Sequence, residues 1–252
     1  MSTAPALSIR GLNKSFGAIV VAQSIDVDLK PGARVGLIGP NGAGKTTFVN
    51  LLTGFLKPDS GSINLEGTQI EGMAPEMRVK RGLARTHQIN ALLREFNVRD
   101  NVAIAVAERK NFAWRMMRYT PQWQECLDES QALLDQMGIG VVADRIVREL
   151  PYGRQRLLEI AIALSLKPRV LLLDEPVAGV PTGEREELLE TVAALPDDVS
   201  VLLIEHDMDL VFSFADRMTV LVNGTVLTEG EPDAIANDAR VKEVYLGGAA
   251  HV

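Results

Sequence analysis

Arg34 to Phe48 reads RVGLIGPNGAGKTTF, and the order of residue types in this stretch decides how the rest of the chain is read. Arg34 to Ile38 is a short apolar run suited to a buried strand, and Gly39 to Gly44 is a glycine-rich turn. Lys45 to Leu52 continues at helical spacing and closes at Thr53-Gly54. The turn fits G-x-x-x-x-G-K-[ST], set between a strand and a helix as that pattern requires. Its glycines let the backbone curl so that successive N–H groups point at phosphate oxygens, and the helix N-terminus adds its own partial positive charge. Gly39, Asn41, Gly42, Gly44, Lys45, Thr46 and Thr47 are therefore the expected nucleotide cradle. Lys45 is placed to reach the β- and γ-phosphates of a bound nucleotide, and the Thr46 hydroxyl to ligate Mg²⁺.

Outward from this stretch, short apolar runs alternate with longer helical patterns, which predicts an α/β fold with a largely parallel sheet. Further strands are expected at Val170 to Asp174, Val199 to Glu205 and Met218 to Val222. Asn223-Gly224 reads as a hairpin turn into Thr225 to Thr228, and Pro58 to Gly61 as a turn into a strand at Ser62 to Leu65. From about Asn90 to Leu150 the helical patterns, Val98 to Ala107 and Pro121 to Met137 among them, are not interleaved with convincing strands. The expected architecture is a single α/β domain over 1–252, a P-loop NTPase core with a mixed sheet at about 1–89 and 151–252. A helical subdomain at about 90–150 is inserted in it.

The run Val170 to Asp174 ends in two adjacent carboxylates, Asp174-Glu175, which are costly at a buried strand end unless they have work or partners. Beside a phosphate loop, Asp174 is the expected metal ligand and Glu175 the general base that polarises an attacking water. His206 follows the Val201 to Glu205 strand directly, at the carboxyl edge where ligands bind in open α/β sheets. Gln88, between the loop and the helical insert, is a candidate to ligate Mg²⁺ and orient water.

The composition supports no competing class. Of 252 residues, 26 are Lys or Arg and 33 are Asp or Glu, a net charge of −7 that disfavours binding nucleic acid or anionic lipid through bulk charge. One cysteine, Cys126, excludes an internal disulfide and reads as a small buried apolar residue. His87, His206 and His251 are scattered and suggest no metal cluster. Apolar runs such as Val170 to Leu173 fall short of the roughly 18–20 residues of a spanning helix, and no secretory leader is evident at MSTAPALSIRGLNK. Arg109 to Tyr119, which mixes basic residues with Phe112, Trp114 and Tyr119, is read as an amphipathic part of the helical insert.

Taken in order, these residues resemble the ATP-binding cassette family from about Leu7 to Gly247. The phosphate loop, Gln88, a signature region at Leu150 to Gln155, Asp174-Glu175 and His206 match its successive elements, and Phe16 matches the aromatic that stacks on adenine. Ala84 to Asn101, Leu157 to Ala161 and Val241 to Gly247 look like the ATPases of branched-chain amino acid importers; urea importers and the lipopolysaccharide-export ATPase share much of the pattern. The resemblance implies an ATPase on the cytoplasmic face of the inner membrane, with ATP and Mg²⁺ as cofactors. It also implies a second ATPase subunit, two transmembrane permeases, indirectly a substrate-binding protein, and no nucleic acid. Each ATP would lie between one chain's phosphate loop and the other's signature helix, so Pro151, Tyr152, Gly153 and Arg154 would act in trans.

Two departures bear on that arrangement. The family's Leu-Ser-Gly-Gly-Gln is Leu150-Pro151-Tyr152-Gly153-Arg154 here, and proline has neither the hydroxyl nor the N–H of the serine it replaces. Gly179-Val180-Pro181-Thr182-Gly183 stands where Gly-Leu-Asn-Pro is usual. Both lie on surfaces offered to a partner, so a heterodimer is expected rather than a homodimer. The other expectation is a mainly regulatory nucleotide-binding subunit with low turnover.

Overall fold

A computed structural model describes residues 4–86, 92–112 and 120–247. In chain order the elements are β1 (Leu7–Phe16), β2 (Ile19–Leu29), β3 (Arg34–Ile38), α1 (Lys45–Thr53), β4 (Ser60–Leu65), β5 (Thr68–Gln69), α2 (Pro75–Lys80) and β6 (Leu83–Arg85). Four helices and one strand follow: α3 (Val98–Arg109), α4 (Pro121–Gln136), α5 (Tyr152–Ser165), β7 (Val170–Asp174) and α6 (Thr182–Ala193). The chain continues through β8 (Ser200–Ile204), α7 (Met208–Phe214), β9 (Arg217–Val222), β10 (Thr225–Gly230), α8 (Pro232–Asn237) and α9 (Ala239–Gly247).

Compactness divides these elements into two units, 1–83 with 169–175 and 197–252, and 84–168 with 176–196. In the first unit β3 lies between β8 and β9, parallel to both, within a six-stranded sheet of order β10-β9-β3-β8-β7-β6. Apart from Asp174 at the end of β7 and Ser200 at the start of β8, the two strands are apolar, and they are buried almost residue for residue, the pattern of parallel strands covered on both faces. Gly36 is where α7 reaches the sheet, since a Cβ there would lie 2.2 Å from Val211 Cγ1. Asn223 and Gly224, both at positive φ, make the tight turn that returns β9 into β10.

A second, antiparallel sheet of order β2-β1-β4-β5 accompanies it. It packs Leu7, Ile9, Leu12, Ile25 and Ile63 into one core with Phe48, Val49, Leu51 and Leu52 of α1. The far end of α1 is held by one buried arginine. Arg78 donates to the carbonyls of Leu51 (2.7 Å) and Leu52 (2.6 Å), and also to those of Glu71 and Met73. Burial lowers the pKa of this guanidinium, and the four carbonyls supply the acceptors that water would otherwise provide.

In the second unit the 3.6-residue period governs. Trp123, Cys126, Ser130 and Leu134 form the buried face of α4, and Val98, Asn101, Val102 and Val106 that of α3. Thr120 caps α4 and Asn97 caps α3, each through a side-chain oxygen that accepts a backbone N–H. Cys126 is fully buried, as its reading as a small apolar residue requires. The helices α5 and α6 fall within this unit. Of the basic-aromatic stretch, 113–119 lie outside the described residues.

Candidate functional site

The phosphate loop leaves β3 at Ile38 and runs into α1 at Lys45, all within the first unit. Two of its glycines cannot be exchanged. A Cβ on Gly39 would lie 2.2 Å from the Leu221 carbonyl oxygen, and Gly44 has φ 101° with the Val21 oxygen 2.7 Å from where its Cβ would be. The loop is laced to its neighbours by backbone hydrogen bonds: the Gly224 N–H donates to the Ala43 oxygen (2.9 Å), and the Gln23 N–H to the Gly224 oxygen (2.8 Å). Asn41, Gly42 and Thr46 are exposed along the loop and Thr47 is half-buried.

Lys45 is buried, and its ammonium donates to the Gly39 carbonyl at 2.5 Å and to the Pro40 carbonyl at 3.1 Å. Desolvation lowers its pKa, while Glu175, Asp174 and Glu205 act in the opposite direction as nearby negative charges. The cation therefore rests on the loop's own neutral carbonyls, which a phosphate can replace, while the three carboxylates favour its charged form.

Asp174 ends β7, and Glu175 follows it in a left-handed conformation (φ 46°) that its N–H secures by donating to the Ile204 carbonyl at 2.9 Å. A non-glycine residue at positive φ at such a strand end is backbone strain placed where a side chain must be aimed. His206 stands next to it, exposed, with Nδ1 3.9 Å from Glu175 Oε1 and 3.6 Å from Glu205 Oε2. Glu205 is fully buried and also accepts from the His206 N–H at 3.2 Å. This carboxylate holds the backbone of the histidine, and the sequence reading passed over it. Its signal was available: an acidic residue closing a fully apolar strand directly before the histidine.

Phe16 is 49% exposed at the β1–β2 hairpin, with the Lys14 ammonium 5.5 Å from its ring centre. Exposed Ile19 and Val20 continue the same apolar tip, two residues and one residue ahead of the Val21 carbonyl that touches Gly44. An open aromatic and aliphatic surface thus lies on the strand that borders the loop. Gln88 lies outside the described residues.

The residues expected to act in trans gather in the second unit. Pro151 is the N-cap of α5 and supplies no side-chain cap. The Gly153 N–H is occupied: it donates to Glu184 Oε2 of α6 at 2.6 Å. Tyr152 lies beneath the Arg156 guanidinium (5.4 Å), and Gln155 Nε2 donates to the Leu150 carbonyl (2.8 Å). Arg156 is buried with Glu159 at 2.9 Å, and Arg185 Nε holds the Val180 carbonyl at 2.9 Å. The two segments that depart from the family pattern are thus parts of one hydrogen-bonded cluster.

A thiol, imidazole and carboxylate cage for a metal is absent among the described residues. The donors on hand are one hydroxyl, Thr46, which follows Lys45, and one strand-end carboxylate, Asp174, whose charge acts on Lys45. That set fits Mg²⁺, which takes few protein ligands and completes its shell with water and phosphate oxygens.

Comparison with known proteins places the chain in a family. The ABC transporter family model matches residues 22–178, and a second, described as a branched-chain amino acid ATP-binding cassette transporter, matches 225–251. The high-affinity branched-chain amino acid transport ATP-binding protein LivG of Escherichia coli K12 is 40% identical, over 97% of this chain and 99% of its own. BraF of Pseudomonas aeruginosa, of the same description, is 36% identical over 97% and 99%. Among solved structures, the ADP conformation of MJ1267, an ATP-binding cassette of an ABC transporter, superposes with a TM-score of 0.85 at 29% identity, covering 97% of this chain and all of that one.

Proposed function

This chain belongs to the ABC transporter family as an ATP-hydrolysing subunit, and from that premise we propose that it powers import of branched-chain or related amino acids. The likeness to LivG and BraF supports the substrate class, and the observation that carries the ATPase chemistry is the Lys45 ammonium, held on the Gly39 and Pro40 carbonyls and faced by Asp174, Glu175 and Glu205. ATP entering the loop meets the backbone N–H groups of Asn41, Gly42 and Gly44 to Thr46, since Pro40 has none and the Ala43 N–H donates to the Pro40 carbonyl, and Lys45 exchanges two neutral carbonyls for the β- and γ-phosphates. Phe16 offers its exposed ring to the adenine. Thr46 and Asp174 would hold Mg²⁺, which neutralises phosphate charge as the γ-phosphoryl group departs. Glu175, aimed by its strained backbone, takes the proton of the attacking water. His206, backed by buried Glu205, orients that water and the γ-phosphate. Gln88 is assigned the same metal and water by its place in the sequence.

The residues 1–252 act as one cassette, and two such cassettes complete each other's sites through the start of α5. Here Pro151 lacks a hydroxyl and an N–H, and Glu184 holds the Gly153 N–H. Both features favour a heterodimer in which a second ATPase subunit supplies the fuller signature. The assembly would contain two permeases, receive cargo from a substrate-binding protein and lie at the cytoplasmic face of the membrane. No described helix is long and apolar enough to cross it.

The test is steady-state ATPase activity and amino-acid uptake by the chain co-purified with its permeases in liposomes. ATP-dependent uptake of leucine, isoleucine or valine, abolished by Glu175→Gln, is the expected result. Turnover without uptake of any of them would remove the substrate class. A homodimer as fast as the two-ATPase complex, unchanged by Pro151→Ser, would remove the heterodimer.

A further inference from the structure

Among the buried polar groups that the mechanism leaves unused is the Tyr245 hydroxyl on α9. Its oxygen is shielded from solvent, faces the backbone N–H of Gly39, and has no partner in hydrogen-bonding geometry among the described residues. Gly39 is already gripped on two sides: the Leu221 carbonyl fills the space beside its α-carbon, and its own carbonyl accepts from Lys45. The helix bearing Tyr245 belongs to the segment matched by the branched-chain-type family model. Its Val241 is buried, so the helix is anchored independently of the tyrosine.

We propose that Tyr245 is a positioning residue for the phosphate loop, fixing Gly39 as Lys45 leaves the Gly39 carbonyl for ATP, and that α9 is coupled to nucleotide binding through it. The argument is one of cost. A hydroxyl buried without a full hydrogen bond destabilises the fold relative to the same ring without it. Phenylalanine would fill the site at lower cost, so stability does not account for the oxygen. Its neighbour does: it stands at the hinge between β3 and the loop. The exchange of Lys45 between carbonyl and phosphate pulls on that residue, and an acceptor beside its N–H keeps the cradle in the shape the phosphates need.

The inference rests on the reading that Gly39 to Thr46 holds ATP, and the experiment separates the two. ATP affinity, with magnesium present, is measured for the full chain, Tyr245→Phe, Tyr245→Leu and Lys45→Ala, together with Tm. The expected result is ATP binding about three- to tenfold weaker in Tyr245→Phe, the size of one modest hydrogen bond, with Tm equal to or above that of the parent. Tyr245→Leu should weaken binding at least as much and also lower Tm through lost packing. In the assembled transporter the same loss should raise KM for ATP and leave kcat unchanged. Wild-type affinity in Tyr245→Phe, or an affinity loss that tracks a fall in its Tm, overturns the proposal while Lys45→Ala still abolishes binding. If Lys45→Ala binds ATP normally, the loop reading fails and the proposal with it.

Discussion

Two helices in this molecule begin in a way suited to an anion, and they treat that position differently. At α1 the N-cap is Gly44, which brings no side-chain cap, and the nearby cation is withdrawn onto neutral carbonyls. At α5 the helix opens on a proline and the Gly153 N–H is taken by the Glu184 carboxylate. The first terminus is kept for a guest and the second is satisfied by the protein's own side chain. The chemistry of the terminus is the same in both. What differs is what the neighbouring carboxylates engage: Glu184 takes a terminal N–H of α5, whereas Asp174, Glu175 and Glu205 face the Lys45 ammonium at the start of α1.

The largest expected effect tests whether the α1 side is the working one. Glu175→Gln should lower ATP turnover by about 10²–10⁴-fold, the usual worth of a general base, with ATP affinity retained in a nucleotide titration. Full turnover would place the base elsewhere. Next, Gly39→Ala should disable the loop, because its methyl carbon would lie 2.2 Å from the Leu221 carbonyl. Overpacking of this kind costs about 1–3 kcal/mol, and both Tm and ATP binding should fall. A variant with unaltered Tm would mean that the β9 backbone yields.

On the α5 side, Glu184→Ala removes the carboxylate from the Gly153 N–H. A lost helix-terminal hydrogen bond costs about 0.5–2 kcal/mol, seen as a drop of a few degrees in Tm. An unchanged melting curve would show that water serves the terminus equally well. The smallest effect is at high pH. Burial pushes the Tyr245 phenol up to about 12, above its ordinary 10, the Gly39 N–H acting the other way. A raised acid pKa means that the folded state keeps the proton longer. The contribution to stability is therefore complete below about pH 10 and is lost as pH rises toward 12. Tyr245→Phe should lack that alkaline decline in a denaturant titration.

Much of the α1 side was legible in the sequence because its chemistry is local. Gly39 to Thr46 are consecutive, and the strand, turn and helix around them each carry their own signal. Asp174, Glu175 and His206 were legible because they close apolar strands that the parallel sheet buries on both faces. Of the antiparallel sheet only the strand at Ser62 to Leu65 was read, and β1 and β2 were not. Three register shifts break the alternation of β1 against β2, so a period-two search finds no long match there. The short helices α2, α7 and α8 also escaped, having too few turns to show a period. Glu184 on Gly153 and Tyr245 beside Gly39 were hidden for a different reason. Each joins residues far apart in the chain, and neither a glutamate in a polar helix nor a tyrosine near a chain end announces a partner.

Arg78 has a consequence for how force travels. With four carbonyls gathered on one buried guanidinium, the last turn of α1 is fastened to the segment Glu71 to Arg78. The first turn is fastened to whatever the loop grips. A rod pinned at both ends resists fraying and sliding, so a pull at the phosphate end is carried toward the arginine end. Substituting Arg78 would leave the nucleotide contacts intact and make their mechanical output soft.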